Sequence, residues 1–269
     1  RPHSDELLFS LGRLLGQIDA ALKDFAHPAA QRELKWDLTQ AVWIRDYIKY
    51  VTDPTRRALV DRLLTMYESE VLLVLAHLRR SIIHGDANDY NVLVATPRAQ
   101  TPTAVSVIDY GDMHHTVTVG EPAVTATYAL LHKRDPLAAA AQVVAGYHSA
   151  FSLTEPEAAV LYPLICARLC VSVVNSAYRK TLVPDDPYVT ISERPAWEAL
   201  ERLATVHPRL AHYTFRAACG LPPVPQTERV VDWLRKNANG FASILDIDVR
   251  TAPVRVFDLS VGSLETGAD

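Results

Sequence analysis

His84-Gly85-Asp86-Ala87-Asn88-Asp89-Tyr90-Asn91-Val92-Leu93-Val94 is followed, after a Pro-containing turn, by Val105-Ser106-Val107-Ile108-Asp109-Tyr110-Gly111-Asp112. The stretches 91–94 and 105–108 are rich in β-branched residues and flank residues 95–103, which predicts a hairpin with a long loop. Antiparallel pairing sets the start of the first strand beside the end of the second. Asn91 and Asp109, 18 positions apart, then meet at one end of the hairpin, with Asp86 five residues ahead of Asn91. The pattern therefore predicts two carboxylates and an amide oxygen converging on one spot.

Phosphoryl transfer needs such a set. Mg²⁺ takes oxygen ligands, keeps several waters, and is held by one or two protein groups plus substrate phosphates; Asn91 and Asp109 are the candidate ligands. A carboxylate must also orient the attacking hydroxyl and accept its proton, and Asp86 is the candidate base. An Asp and an Asn with four residues between them is the spacing of the protein-kinase catalytic loop. His84 reads as a hydrogen-bonded support for that loop. Asp112 is a candidate either for an amine group of the substrate or for capping the next segment. Asp89 is either structural or substrate-facing. His114 and His115 read as loop residues, and Asp185 and Asp186 as an acidic rim or a solvated turn. A metal-dependent hydrolase built on His84, Asp86 and Asp109 would want further His or carboxylate ligands close by.

The His84–Val94 stretch together with Val107-Ile108-Asp109-Tyr110-Gly111-Asp112-Met113 resembles the aminoglycoside phosphotransferase and choline kinase superfamily. The wording Asn88-Asp89-Tyr90-Asn91 and Ile108–Met113 is most similar to its hydroxylysine kinase-like members. Trp36-Asp37-Leu38 and the stretch from Asn175 to Trp197 also resemble that subgroup, so the likeness covers most of residues 5–240. The resemblance implies the C-terminal lobe of a protein-kinase-like fold, with Asp86 as base, Asn91 and Asp109 on Mg²⁺, and His84 supporting the loop. It implies ATP or GTP as co-substrate, and as acceptor an amino alcohol or hydroxy amino acid. Some bacterial relatives are fused to a class III aminotransferase-like domain, and Phe257–Ser263 resembles the junction in such fusions.

The rest of the chain fits a mainly α fold with a small β-hairpin. Leu7, Leu8, Leu11, Leu14, Leu15, Ile18 and Leu22 recur at helical spacing behind a Ser4 cap. A second helix is predicted over 32–51. Asp53-Pro54 starts a third, expected to run to about Arg80. Helices are expected again after 120, in the apolar stretch 155–180 with a kink at Pro163, and at 194–206, 208–219 and 226–237. Residues 1–240 read as one kinase-like unit. Residues 241–269, with strand-like runs at 244–249 and 254–257, read as an extension and linker toward a following domain.

Composition is ordinary for a globular chain: 49% apolar and 22% charged over 269 residues, with net charge −4. That balance supplies no basic field for nucleic acid. Three cysteines, Cys166, Cys170 and Cys219, argue against a disulfide scaffold and for a cytoplasmic setting, with the first two as small buried groups. No apolar run of ~18 residues is evident, so no membrane span is expected. A Gly-rich phosphate loop and a strand Lys, which a kinase requires, are not recognisable. On this reading the N-terminal nucleotide lobe is absent, and the 269 residues alone have little or no kinase activity. A rival reading is a non-catalytic kinase-like module that binds a ligand or a partner. It gives no chemical reason for Asp86, Asn91 and Asp109 to stand together.

Overall fold

The computed structural model describes residues 3–96, 101–183, 193–241, 248–256 and 258. The helices in chain order are α1 (Asp5–Leu22), α2 (Pro54–Tyr67), α3 (Gly120–Ala129), α4 (Pro136–Ala150), α5 (Glu155–Leu182), α6 (Glu193–Leu203), α7 (Pro208–Ala218), α8 (Thr227–Lys236) and the single turn α9 (Ala238–Phe241). Four short strands, β1 (Arg80–Ile83), β2 (Val92–Ala95), β3 (Thr103–Val107) and β4 (His114–Val117), form two antiparallel pairs, β1 with β4 and β2 with β3. The predicted mainly α class with a small hairpin is what folds.

Caps explain where the helices begin. The Ser4 hydroxyl accepts from the Leu7 amide at 3.2 Å, and Asp5 and Glu6 sit at the positive end of the α1 dipole. Asp53 caps α2 with Pro54 at its first position. Asp135 and Pro136 repeat the device at α4. α1 and α4 cross with backbone touching backbone. A Cβ on Gly12 would stand 1.9 Å from the Val143 carbonyl oxygen, and one on Gly146 1.9 Å from that of Phe9. No residue with a side chain permits that approach.

α5 runs through the middle of the core and packs on α2, α3, α6, α7 and the segment 38–50. It continues as one helix through Pro163, and Cys166 and Cys170 are fully buried on it as free thiols. By length and composition α5 could cross a membrane, which the sequence reading did not anticipate. Within the fold, however, 89% of its most apolar window is buried, as in the core helix of a globular protein.

Several expectations are corrected. The helix predicted over 32–51 starts at Leu38 and is a 3₁₀ helix, Leu38–Tyr50, capped by Asp37. Its buried Leu38, Ala41 and Ile44 are three residues apart, the 3₁₀ period, while the next, Ile48, follows after four, a mixed spacing that reads as an α-helical pattern. The helix from Pro54 ends at Tyr67 rather than near Arg80. A π turn at Glu68–Leu72 follows, then a 3₁₀ turn at Leu75–His77. The wider turn keeps Val71 in the core and leaves Leu73 77% exposed. His114 and His115 are not loop residues but lie in β4, with Ile83 opposite His114 and Ile82 opposite His115. Residues 248–256 hold a turn and no strand, so 254–256 of the strand-like run 254–257 are not a strand, and Phe257 lies outside the described residues. Residues 184–192 and 242–247, which include Asp185, Asp186 and most of the other strand-like run, lie outside the described residues.

Candidate active site

β1 leads into the loop that carries Asp86. Its last residue, Ile83, is buried, and His84, Gly85 and Asp86 follow directly. The His84 ring is fully buried. Its Nε2 donates to the Ile108 carbonyl at 3.0 Å, and its Nδ1 accepts the Asp86 amide at 3.3 Å. A carbonyl only accepts and an amide only donates, so the ring is fixed as the Nε2–H tautomer. It ties the Asp86 loop to the strand end that carries Asp109. Gly85 takes φ +75°, a left-handed conformation that suits glycine, and its amide donates to the buried Glu121 carboxylate at 2.9 Å.

The hairpin brings in the other two residues as predicted. Val92 pairs with Val107, and the Ile108 amide donates to the Asn91 carbonyl at 2.9 Å, so Asn91 and Asp109 flank the same strand end. The Asn91 side-chain nitrogen donates to both the Asp86 carbonyl and the Asp86 carboxylate, each at 2.9 Å. Both partners are acceptors, which orients the amide. Its oxygen has no protein hydrogen bond among the described residues. Asp109 is exposed and left-handed at φ 61°, a conformation Asp tolerates better than most residues. Its carboxylate is held by the Gly111 amide at 3.2 Å. An amide oxygen without a protein partner and an exposed carboxylate at the same hairpin end are hard oxygen donors, the kind an Mg²⁺ ion takes together with phosphate and water.

Asp86 is half-buried. Besides Asn91, the Asn88 side chain donates to it at 2.9 Å and the Tyr128 hydroxyl at 3.3 Å. Burial raises its pKa above the usual carboxylate value. The hydrogen bond from Asn88 and the charge of Arg168 pull against that, while Asp112 adds to it. A cavity of about 260 Å³ opens beside it, lined also by Trp36, Asp112, Tyr128, Arg168 and Asn175. Asp112 thus lines the same cavity as Asp86, and its backbone carbonyl accepts from His114 Nδ1 at 2.9 Å. Asp89 is exposed and does not line this cavity. It lines a separate hollow against α1 with Leu7 and Leu11.

Sequence reasoning missed Glu121, Tyr128 and Arg168. Glu121 and Tyr128 are two helical turns apart on α3, a spacing that sets them on one face. Arg168 is a cation in the middle of the most apolar stretch of the chain, a signal in itself. Arg32 was also missed. Its guanidinium donates to the Gly111 and Met113 carbonyls and braces the loop after Asp109.

The model for the phosphotransferase enzyme family matches residues 1–161. Hydroxylysine kinase from Mus musculus is 30% identical over 209 residues, covering 74% of this chain and 56% of the relative. Hydroxylysine kinase from Bos taurus is 30% identical over 211 residues, covering 75% and 56%. The chain therefore spans a little over half the length of these curated relatives. Among solved structures, an amicoumacin kinase in complex with AMP-PNP, Ca²⁺ and Ami aligns at 14% identity and a TM-score of 0.47, over 74% of this chain and 60% of that one. With a family model covering more than half of its residues, including the His84–Asn91 loop and Asp109, the chain belongs to the phosphotransferase enzyme family.

Proposed function

We propose that the chain carries the acceptor- and metal-binding side of a small-molecule kinase. On this reading it moves the γ-phosphoryl group of ATP or GTP to the hydroxyl of an amino alcohol or a hydroxy amino acid. The observation that carries the reading is the Asn91 amide. It donates to both the carbonyl and the carboxylate of Asp86, and its oxygen has no protein partner among the described residues. Asn91 stands at the same hairpin end as Asp109, so that on this reading one residue couples the base to the metal site.

The acceptor occupies the cavity with its hydroxyl against Asp86. As the hydroxyl oxygen forms its bond to the γ-phosphorus, its proton passes to an Asp86 carboxylate oxygen. The bond from phosphorus to the β–γ bridging oxygen breaks, and the nucleoside diphosphate leaves with that oxygen. Asn88, Asn91 and Tyr128 donate to Asp86 and hold it in place for this transfer. Asn91 and Asp109 would hold Mg²⁺, which neutralises charge on the phosphates. A kinase also needs a glycine-rich loop and a strand lysine for the phosphates, neither recognisable in these 269 residues, and on this account the 269 residues alone have little or no kinase activity.

The test is a panel of amine-bearing alcohols offered with Mg²⁺ and ATP or GTP to the full-length gene product, with phosphorylated product read by ³¹P NMR. The expected result is a phosphate ester on at least one member. Nucleotide left intact with every acceptor would contradict the reading.

A further inference from the structure

Arg168 projects from the core helix α5 and is only 5% exposed, yet it lines the cavity that holds Asp86. Buried guanidinium groups normally face a carboxylate, because an uncompensated charge in the interior is unfavourable by several kcal/mol. Three other guanidinium groups among the described residues follow that rule. Arg216, also buried, pairs with Glu155, and the partly exposed Arg45 and Arg79 pair with Glu68 and Glu157. Among the described residues Arg168 has no carboxylate within ion-pair distance. Its hydrogen-bond partners are two neutral hydroxyls, Ser172 at 3.0 Å and Tyr128 at 2.5 Å, and its Nε has none.

Two of its five N–H donors are therefore engaged. The rings of Trp36 and Tyr128, 5.0 and 5.3 Å from the guanidinium carbon, hold the group in place. Tyr128 hydroxyl stands between Arg168 and Asp86, accepting from one and donating to the other. The cavity thus presents Asp86, a second carboxylate in Asp112, and a preorganised guanidinium with no carboxylate at ion-pair distance among the described residues.

We propose that Arg168 is the subsite for a carboxylate on the acceptor, so that the cavity selects a zwitterionic hydroxy amino acid over a plain amino alcohol. The inference rests on the phosphotransfer reading above. In the bound state the carboxylate sits on Arg168, the ammonium group faces Asp112, and the hydroxyl reaches Asp86. Each charged group then meets its complement, and the neutral isostere of the acid leaves Arg168 as unpaired as before.

The experiment is calorimetric titration of the full-length gene product with 5-hydroxylysine and L-homoserine, each beside its α-carboxamide. At least one acid is expected to bind roughly ten- to a hundredfold tighter than its amide, the range for charge-assisted hydrogen bonds. Arg168→Met is expected to bring acid binding down to the amide level, and Arg168→Lys to restore part of the preference. Equal binding of acid and amide to the wild type, no binding of either acid at millimolar concentration, or a preference that survives in Arg168→Met would overturn the subsite. The wild-type comparison decides the matter even if the variants fail to fold. Phosphorylation of amide as readily as acid would sink the subsite and leave the phosphotransfer reading standing. Arg168-dependent acid binding with no phosphorylation of any acceptor would do the reverse.

Discussion

Asp37 is buried where the Leu38–Tyr50 segment begins, accepting from the Thr39 amide at 2.9 Å and the Thr116 hydroxyl at 2.8 Å, with His114 Nε2 at 3.9 Å. Burial alone would push its carboxyl up. The His114 ring and the Thr39 and Thr116 donors outweigh that and hold it at about 2, below the ordinary 3.8. A depressed folded value means that the stabilisation is present above about pH 4 and is lost as pH falls toward 2. The contribution is on the order of 2 kcal/mol at neutral pH. Asp37→Ala should therefore lower the urea midpoint at pH 7, and its difference from wild type should shrink steadily between pH 4 and 2. A difference that stays constant across that window would show that the ionised carboxylate is not what stabilises the segment. The same residue anchors β4 through Thr116, and β4 meets the Gly85 turn through His114, so the chain of contacts ends at the loop that carries Asp86.

At the scale of elements, the crossing of α1 and α4 is the tightest constraint. A single methyl at position 12 would overlap the Val143 carbonyl, and the helices must separate to admit it. Gly12→Ala is expected to lose about 2 kcal/mol or more in chemical denaturation. The same substitution at Gly240, where a Cβ meets nothing, should change stability little. Equal effects at the two positions would rule out the close crossing. The helices were legible because their caps are written locally: Ser4, Asp53-Pro54 and Asp135-Pro136 each announce a start. The hairpin was legible from its two β-branched runs. β4 was not, because its two histidines look like loop chemistry, although Thr116-Val117-Thr118-Val119 behind them has strand character. The break after Tyr67 was hidden because apolar residues continue through Leu72 and Leu73, which the structure exposes rather than buries.

Across the whole molecule, the site is assembled from segments far apart in sequence. Asp86, Asn91 and Asp109 could be placed together from a local hairpin and a spacing rule. Arg168 and Trp36 could not, since only the packing of α5 against the N-terminal third sets a guanidinium over an indole 132 positions earlier in the chain. The carboxylate and amide cluster was legible in the sequence; the guanidinium and indole across the cavity were not. The central claim is that Asp86 takes the proton of the acceptor hydroxyl. It is tested most directly by comparing Asp86→Asn with wild type in the full-length gene product, under saturating Mg²⁺, nucleotide and acceptor. The account predicts a fall in kcat of roughly 10²–10⁴ with nucleotide affinity little changed. A kcat within a few-fold of wild type would contradict it.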